Sequence, residues 1–141
     1  MNKIFYIVTL ILIFCACTSS FGQNKTISGR IIDEHFNPLA DAVIQTLDSA
    51  FTARADKDGN YVLTVPNKTK RIKAWAVGME TEVFKLSNNC KFNLILFDDI
   101  IAEFETEVKH QERYKKRKRE LPGLYKEAIK KGMIDENKPC S

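Results

Sequence analysis

The sequence predicts a mainly β protein: a seven-stranded β-sandwich followed by a C-terminal helical hairpin. Three observations carry this. Between Gln23 and Phe97, seven short apolar runs alternate with turn residues at a spacing of about 8–12 residues. From Ile100 to Glu120 there is no Gly or Pro, and helix formers dominate. After Pro122, apolar residues return at helical spacing.

The strands are placed in order. "TISGRIID" (26–33) sets Ile27 and Ile31 on one face. "HFNPLADA" (35–42) is a turn region in which Pro38 presets φ. "AVIQTLD" (42–48), "SAFTARA" (49–55) and "NYVLTVP" (60–66) follow, the last with Tyr61, Leu63 and Val65 on one side. "KRIKAWAVG" (70–78), "ETEVFKL" (80–86) and "KFNLILF" (91–97) complete the set. The first helix is capped by Asp98 or Asp99, and Glu103, Glu105 and Glu107 suit the positive end of its dipole. Ile101, Phe104 and Val108 share one face. Pro122 starts a second helix with Leu121, Leu124, Tyr125, Ala128 and Ile129 as its apolar face, and Gly132 ends it.

Residues 1–22 stand apart from the fold. A short basic start, "MNK", precedes the 14-residue apolar run "IFYIVTLILIFCAC" and the small polar stretch "TSSFGQ". This order marks a secretory signal peptide, and the run is short for a span of about 20 residues. Two processing routes compete. Ordinary cleavage leaves Gln23 first; a lipobox reading of "FCAC" makes Cys17 the lipidated residue. Both predict an exported protein, periplasmic or associated with the outer membrane, the second as a lipoprotein.

Three domains follow: 1–22 signal peptide, 23–98 sandwich, 99–141 basic helical region. Residues 23–99 carry ten basic and ten acidic side chains, net zero; residues 100–141 carry eleven and eight, net +3. Cys90 and Cys140 remain after processing. Export permits a disulfide between them, and two free thiols are equally compatible.

The chemistry-bearing residues are few. In "DKDGN", Asp56, Asp58 and Asn60 have the alternation of a calcium loop. However, Gly59 falls at position 4 rather than 6, and position 12 is Asn67 rather than an acid. Asp-Gly is also a strong hairpin signal, so Asp56, Asp58, Gly59 and Asn60 are assigned to a turn. His35 and His110, the two histidines, lack neighbouring ligands for zinc. No nucleophile motif surrounds Ser28, Ser49 or Cys90. No catalytic residue, metal or cofactor is therefore expected.

Surface readings remain. The run Lys115, Lys116, Arg117, Lys118, Arg119 is either a solvated stretch or a contact for anionic lipid; export leaves nucleic acid without a role. Trp75, with Tyr61 near in strand order, is either core or a sugar-stacking platform for a glycan. Leu124, Tyr125, Ala128 and Ile129 either pack on the sandwich or present a surface to a partner. An exposed sheet edge is an alternative partner site.

Several of these segments together resemble the carboxypeptidase-like regulatory domain, which is common in exported proteins of Bacteroidota. Gly29, Ile31 and Asp33 match its G-x-V-x-D start. Asn37, Pro38 and Leu39 match its G-x-P-L turn, and Asp56, Asp58, Gly59, Asn60 and Tyr61 its T-D-x-D-G-x-F segment. Gly78, Met79 and Glu80 match its later G-Y-E, with Met for Tyr; Asp41 and Ala42 depart from the usual Gly-Val. The resemblance covers about residues 25–97. It implies a transthyretin-like sandwich without catalytic residues of its own. In that family the domain accompanies peptidases or TonB-dependent receptors. The expected function is a non-catalytic envelope binding or scaffolding module, with an envelope protein as partner; a carbohydrate-binding module is the alternative.

Overall fold

The computed structural model describes residues 22–100 and 106–141. The predicted signal segment through residue 21, with Cys17, and the helix positions Ile101, Glu103, Phe104 and Glu105 lie outside the described residues.

Two sheets face each other. The first contains β1 (Asn24–Asp33), β4 (Asn60–Pro66), β7 (Asn89–Lys91), β8 (Leu94–Leu96) and β9 (Lys138–Pro139), in the order β4-β1-β7-β9, with β8 also on β1. The second contains β2 (Val43–Thr46), β3 (Thr52–Arg54), β5 (Arg71–Trp75) and β6 (Glu82–Lys85), in the order β3-β2-β5-β6. Period-two alternation explains the core directly. On β4, Tyr61, Leu63 and Val65 are buried while Asn60, Val62 and Thr64 are exposed. With Ile27, Ile31, Ile44, Ile72, Phe84, Phe92, Leu94 and Leu96 they form one apolar cluster between the sheets.

Three expectations are corrected. The last predicted strand, 91–97, is two strands, because Asn93 interrupts it. The Asn93 side-chain oxygen takes the Arg30 N–H at 2.8 Å, where a continuous strand would present backbone. The flanking pieces pair with β1 in parallel, at Ser28↔Lys91 and at Ile31↔Leu94 through Asp33↔Leu96. The region 99–141, expected to be helical, ends in a strand, β9. β9 pairs antiparallel with β7, and Cys90 and Cys140 form a disulfide with Cα atoms 4.7 Å apart. The described strands thus number nine rather than seven.

Third, the helical hairpin is a single helix, α1 (Glu107–Lys130), with Pro122 inside it. Pro122 has no N–H to bond the Lys118 carbonyl, and an interior proline costs about 3 kcal/mol. Contacts on both sides of it hold the two halves on one axis. Arg117 and Lys118 are ion-paired to the sandwich before it, and Leu124, Tyr125, Ala128 and Ile129 pack on the sandwich after it. Thr106, not Asp98 or Asp99, is the N-cap. The Asp99 N–H instead bonds the Gly78 carbonyl. At the other end Gly132 is left-handed, φ 70°, and the Met133 N–H closes on the Ala128 carbonyl, so this terminus is where the sequence puts it.

Candidate interaction surfaces

Asp56 organises the turn between β3 and β4. Its Oδ1 accepts the N–H groups of Asp58 (2.9 Å) and Asn60 (2.8 Å), and Asn60 Nδ2 reaches its other oxygen. The Asn60 amide, together with these neighbours, holds the Asp56 carboxyl below its ordinary pKa. Gly59 is at φ 78°, where a Cβ would lie 2.5 Å from the Ile31 carbonyl oxygen. The carboxylate is thus committed to backbone amides. The turn is not a hairpin within one sheet, because β3 and β4 belong to different sheets.

The basic run divides by its position around α1. Arg117 is 8% exposed. It pairs with Glu34 and with Glu80 (3.7 Å), donates to the Asp98 carbonyl at 3.0 Å, and lies 4.8 Å from the Phe97 ring centre. Lys118 pairs with Glu82, which is 2% exposed at the start of β6, and Tyr114 donates its hydroxyl to the same carboxylate at 3.1 Å. Burial pulls the Lys118 pKa down, but its bond to Glu82 outweighs this and raises it. The other Glu82 oxygen, Oε1, has no partner among the described residues. Lys115, Lys116 and Arg119 point to solvent. Two of the five cations, read from the sequence as either a solvated stretch or an anionic contact, therefore hold the helix on the sandwich.

The apolar helix face is also occupied. Ala128, fully buried, and Leu121, Leu124, Tyr125 and Ile129 pack with Ile32, Ile95 and Ile134 on the outer side of β1 and β8. The Tyr125 hydroxyl donates to the Asn93 carbonyl (3.1 Å) and accepts the Ile95 N–H (3.3 Å). Burial pushes its pKa up to about 12. Of the two readings for this face, the structure takes the one that packs on the sandwich.

Trp75 and Tyr61 do not form one platform. Tyr61 is 2% exposed in the core, and Trp75 points outward from the other sheet at 38% exposure. Nor is Trp75 a core residue: alternation on β5 buries Ile72 and Ala74 and leaves Trp75 outside.

The chain fold brings His35 to Asp98, with Nδ1 and Oδ2 3.7 Å apart, beside Asp33. Asp33 Oδ1 accepts the N–H groups of His35 and Asn37, both at 2.8 Å, and Asn37 Nδ2 donates to Oδ2 at 2.9 Å. Its acceptor capacity is used to close the turn after β1. His110 is on α1, near Arg113.

Residues 26–91 match the family model described as the carboxypeptidase regulatory-like domain. This segment is a carboxypeptidase regulatory-like domain. No curated protein matches the chain. The match runs from β1 through β7, so β8, α1 and β9 lie beyond the matched part of the regulatory-like domain. The domain family is non-catalytic.

One feature of the regulatory-like domain is open. Among the described residues β4 pairs only with β1, along seven residues from Asn24↔Pro66 to Arg30↔Asn60. The Ile31 N–H bonds the Gly59 carbonyl. Antiparallel alternation then turns the backbone groups of Tyr61, Leu63 and Val65 toward β1, and those of Val62 and Thr64 away from it. The side chains of Val62, 63% exposed, and Thr64 carry no charge that would repel an added strand. The alternation of "NYVLTVP" showed a strand, but an edge position depends on partners distant in sequence.

Proposed function

We propose that this chain is a non-catalytic, exported envelope module that recognises another envelope protein by accepting its strand on the β4 edge. The supporting observation is the open side of β4 at Val62 and Thr64, on a regulatory-like domain whose helix face is already covered. Main-chain pairing on such an edge supplies affinity, and side chains of the added strand supply specificity. The apolar segment at the N-terminus supports export.

The test is cross-linking and pull-down from native envelopes with the parent chain and Val62→Pro. Proline removes an N–H on the open side of β4 and leaves the β1 ladder intact. A partner enriched by the parent and lost with Val62→Pro, while both variants melt together, supports strand addition. Equal enrichment by both overturns the edge as the site, and no enriched protein overturns the adaptor reading.

A further inference from the structure

The outer face of the second sheet differs from that of the first. Register sets its outward residues in rows: Arg54–Val43–Trp75, Thr52–Gln45–Lys73–Val83, and Arg71–Lys85. Four of these nine positions are cations and none is acidic. Arg54, Arg71 and Lys85 are exposed and Lys73 is half-buried. No ion pair engages any of the four among the described residues. On the first sheet two of the outward cations are engaged, Arg30 with the Asp58 and Met133 carbonyls and Lys91 with Asp135 at 3.4 Å; Lys138, in register with Lys91, is exposed without an ion pair among the described residues.

Exposed apolar groups lie among the free cations. Trp75 is 38% exposed, Val83 50%, and Val77, just past β5, 94%. Val43 points outward yet is only 4% exposed, because Arg54 and Trp75 flank it in register. Strands about 4.8 Å apart place the four cations across roughly 15 Å, nearly twice the screening length of about 8 Å at physiological salt, but Arg71, Lys73 and Lys85 sit on the adjacent strands β5 and β6, within that length of one another. They therefore act together on a planar array of negative charge. Tryptophan favours the headgroup level of a bilayer, where its ring is apolar and its N–H stays hydrated.

We infer that the outer face of the β3-β2-β5-β6 sheet binds an anionic phospholipid surface, with Arg54, Arg71, Lys73 and Lys85 facing headgroups and Trp75 and Val83 entering the interface. The lipid contact thus belongs to the sheet rather than to the Lys115–Arg119 run. It leaves the β4 edge, on the other sheet, free for a protein partner.

Trp75 is the one tryptophan of the sequence, so its fluorescence reports on this face whatever the N-terminal segment does. The full chain is titrated with phosphatidylglycerol–phosphatidylcholine vesicles and with phosphatidylcholine vesicles. The expected result is a blue shift and lower acrylamide quenching with the anionic vesicles, reversed by high salt. Each cation near an anionic surface contributes about fivefold, so Arg71→Gln with Lys73→Gln weakens the titration by about thirtyfold. Lys115→Gln with Lys116→Gln, also solvent-exposed, leaves it unchanged. Equal shifts on both vesicle types, loss only in the helix variant, or a shift with soluble polyphosphate but not with vesicles each overturn the inference. The double variants alter exposed side chains apart from the half-buried Lys73, and circular dichroism verifies their fold.

Discussion

The Tyr61 hydroxyl donates to the Phe92 carbonyl at 2.5 Å, where Gly29, the register partner of Tyr61, leaves room for that carbonyl. A Cβ on Gly29 would lie 2.0 Å from the Phe92 oxygen and 2.6 Å from its carbon. Both neighbours are backbone and cannot swing aside. Burial pushes the Tyr61 pKa far above the ordinary phenol range, so the hydroxyl remains a donor. The Gly29, Tyr61 and Phe92 positions thus form one device that sets β1 against the β7–β8 break.

Gly29→Ala is expected to destabilise the chain by about 3 kcal/mol, through overpacking against backbone. Tyr61→Phe loses one buried bond and is expected to cost about 1–2 kcal/mol. Gly123→Ala is the control: nothing lies within 4 Å of its Cβ position in α1, and alanine is expected to stabilise by about 0.8 kcal/mol. Urea unfolding of the three variants measures this; a silent Gly29→Ala would refute the close approach.

Arg117 and its neighbours Lys115 and Lys116 are expected to separate sharply. Arg117→Ala leaves Glu34 and Glu80 facing one another without their shared cation. Breaking a buried pair from one side costs about 3 kcal/mol or more. Lys115→Ala and Lys116→Ala, at exposed positions, should stay within about 0.5 kcal/mol. Equal losses in all three melts would mean that the run behaves as one solvated stretch.

Glu80 supplies a pH dependence. Burial raises its pKa above the ordinary 4.5, and Arg117 only partly offsets this. For an acid with a raised folded value, the ionised form is disfavoured by folding. Its contribution therefore destabilises at neutral pH and is relieved as pH falls through the raised value toward 4.5. Glu80→Gln should melt higher than the parent at neutral pH, and the gap should close below about pH 4. A gap that widens on acidification would reverse the assigned sign.

The disulfide closes a 50-residue separation between Cys90 and Cys140. Loop entropy assigns such a bridge about 4 kcal/mol, and native bridges typically give 2–4 kcal/mol. Cys140→Ser should lower stability within that range and raise amide exchange at Lys138 and Cys140 first, since among the described residues β9 pairs only with β7. Uniform exchange across the sandwich would show that the bridge supports more than this edge.

Most of the sandwich was legible because alternation is local. β4 appears in "NYVLTVP" at its observed boundaries, and Gly132 announces the helix end. Asn93 did not announce the strand break, since its side chain acts by reaching the Arg30 amide 63 positions away. Pro122 misled for the opposite reason: its local preference to start a helix is real, and packing on both sides outweighs it. The five cations from Lys115 to Arg119 look alike as text. Only the sandwich beneath α1 distinguishes Arg117 and Lys118 from the rest.

The sequence by itself determined the β class, the alternating core, the Asp56–Asn60 turn and the family resemblance. Each depends on spacing between near neighbours, which secondary-structure geometry reads directly. The tertiary structure decided the continuous helix, the Cys90–Cys140 pairing, the open β4 edge and the sheet face whose charged residues are all cations. Those depend on which distant segments meet, and burial and charge are decided at that meeting rather than along the chain.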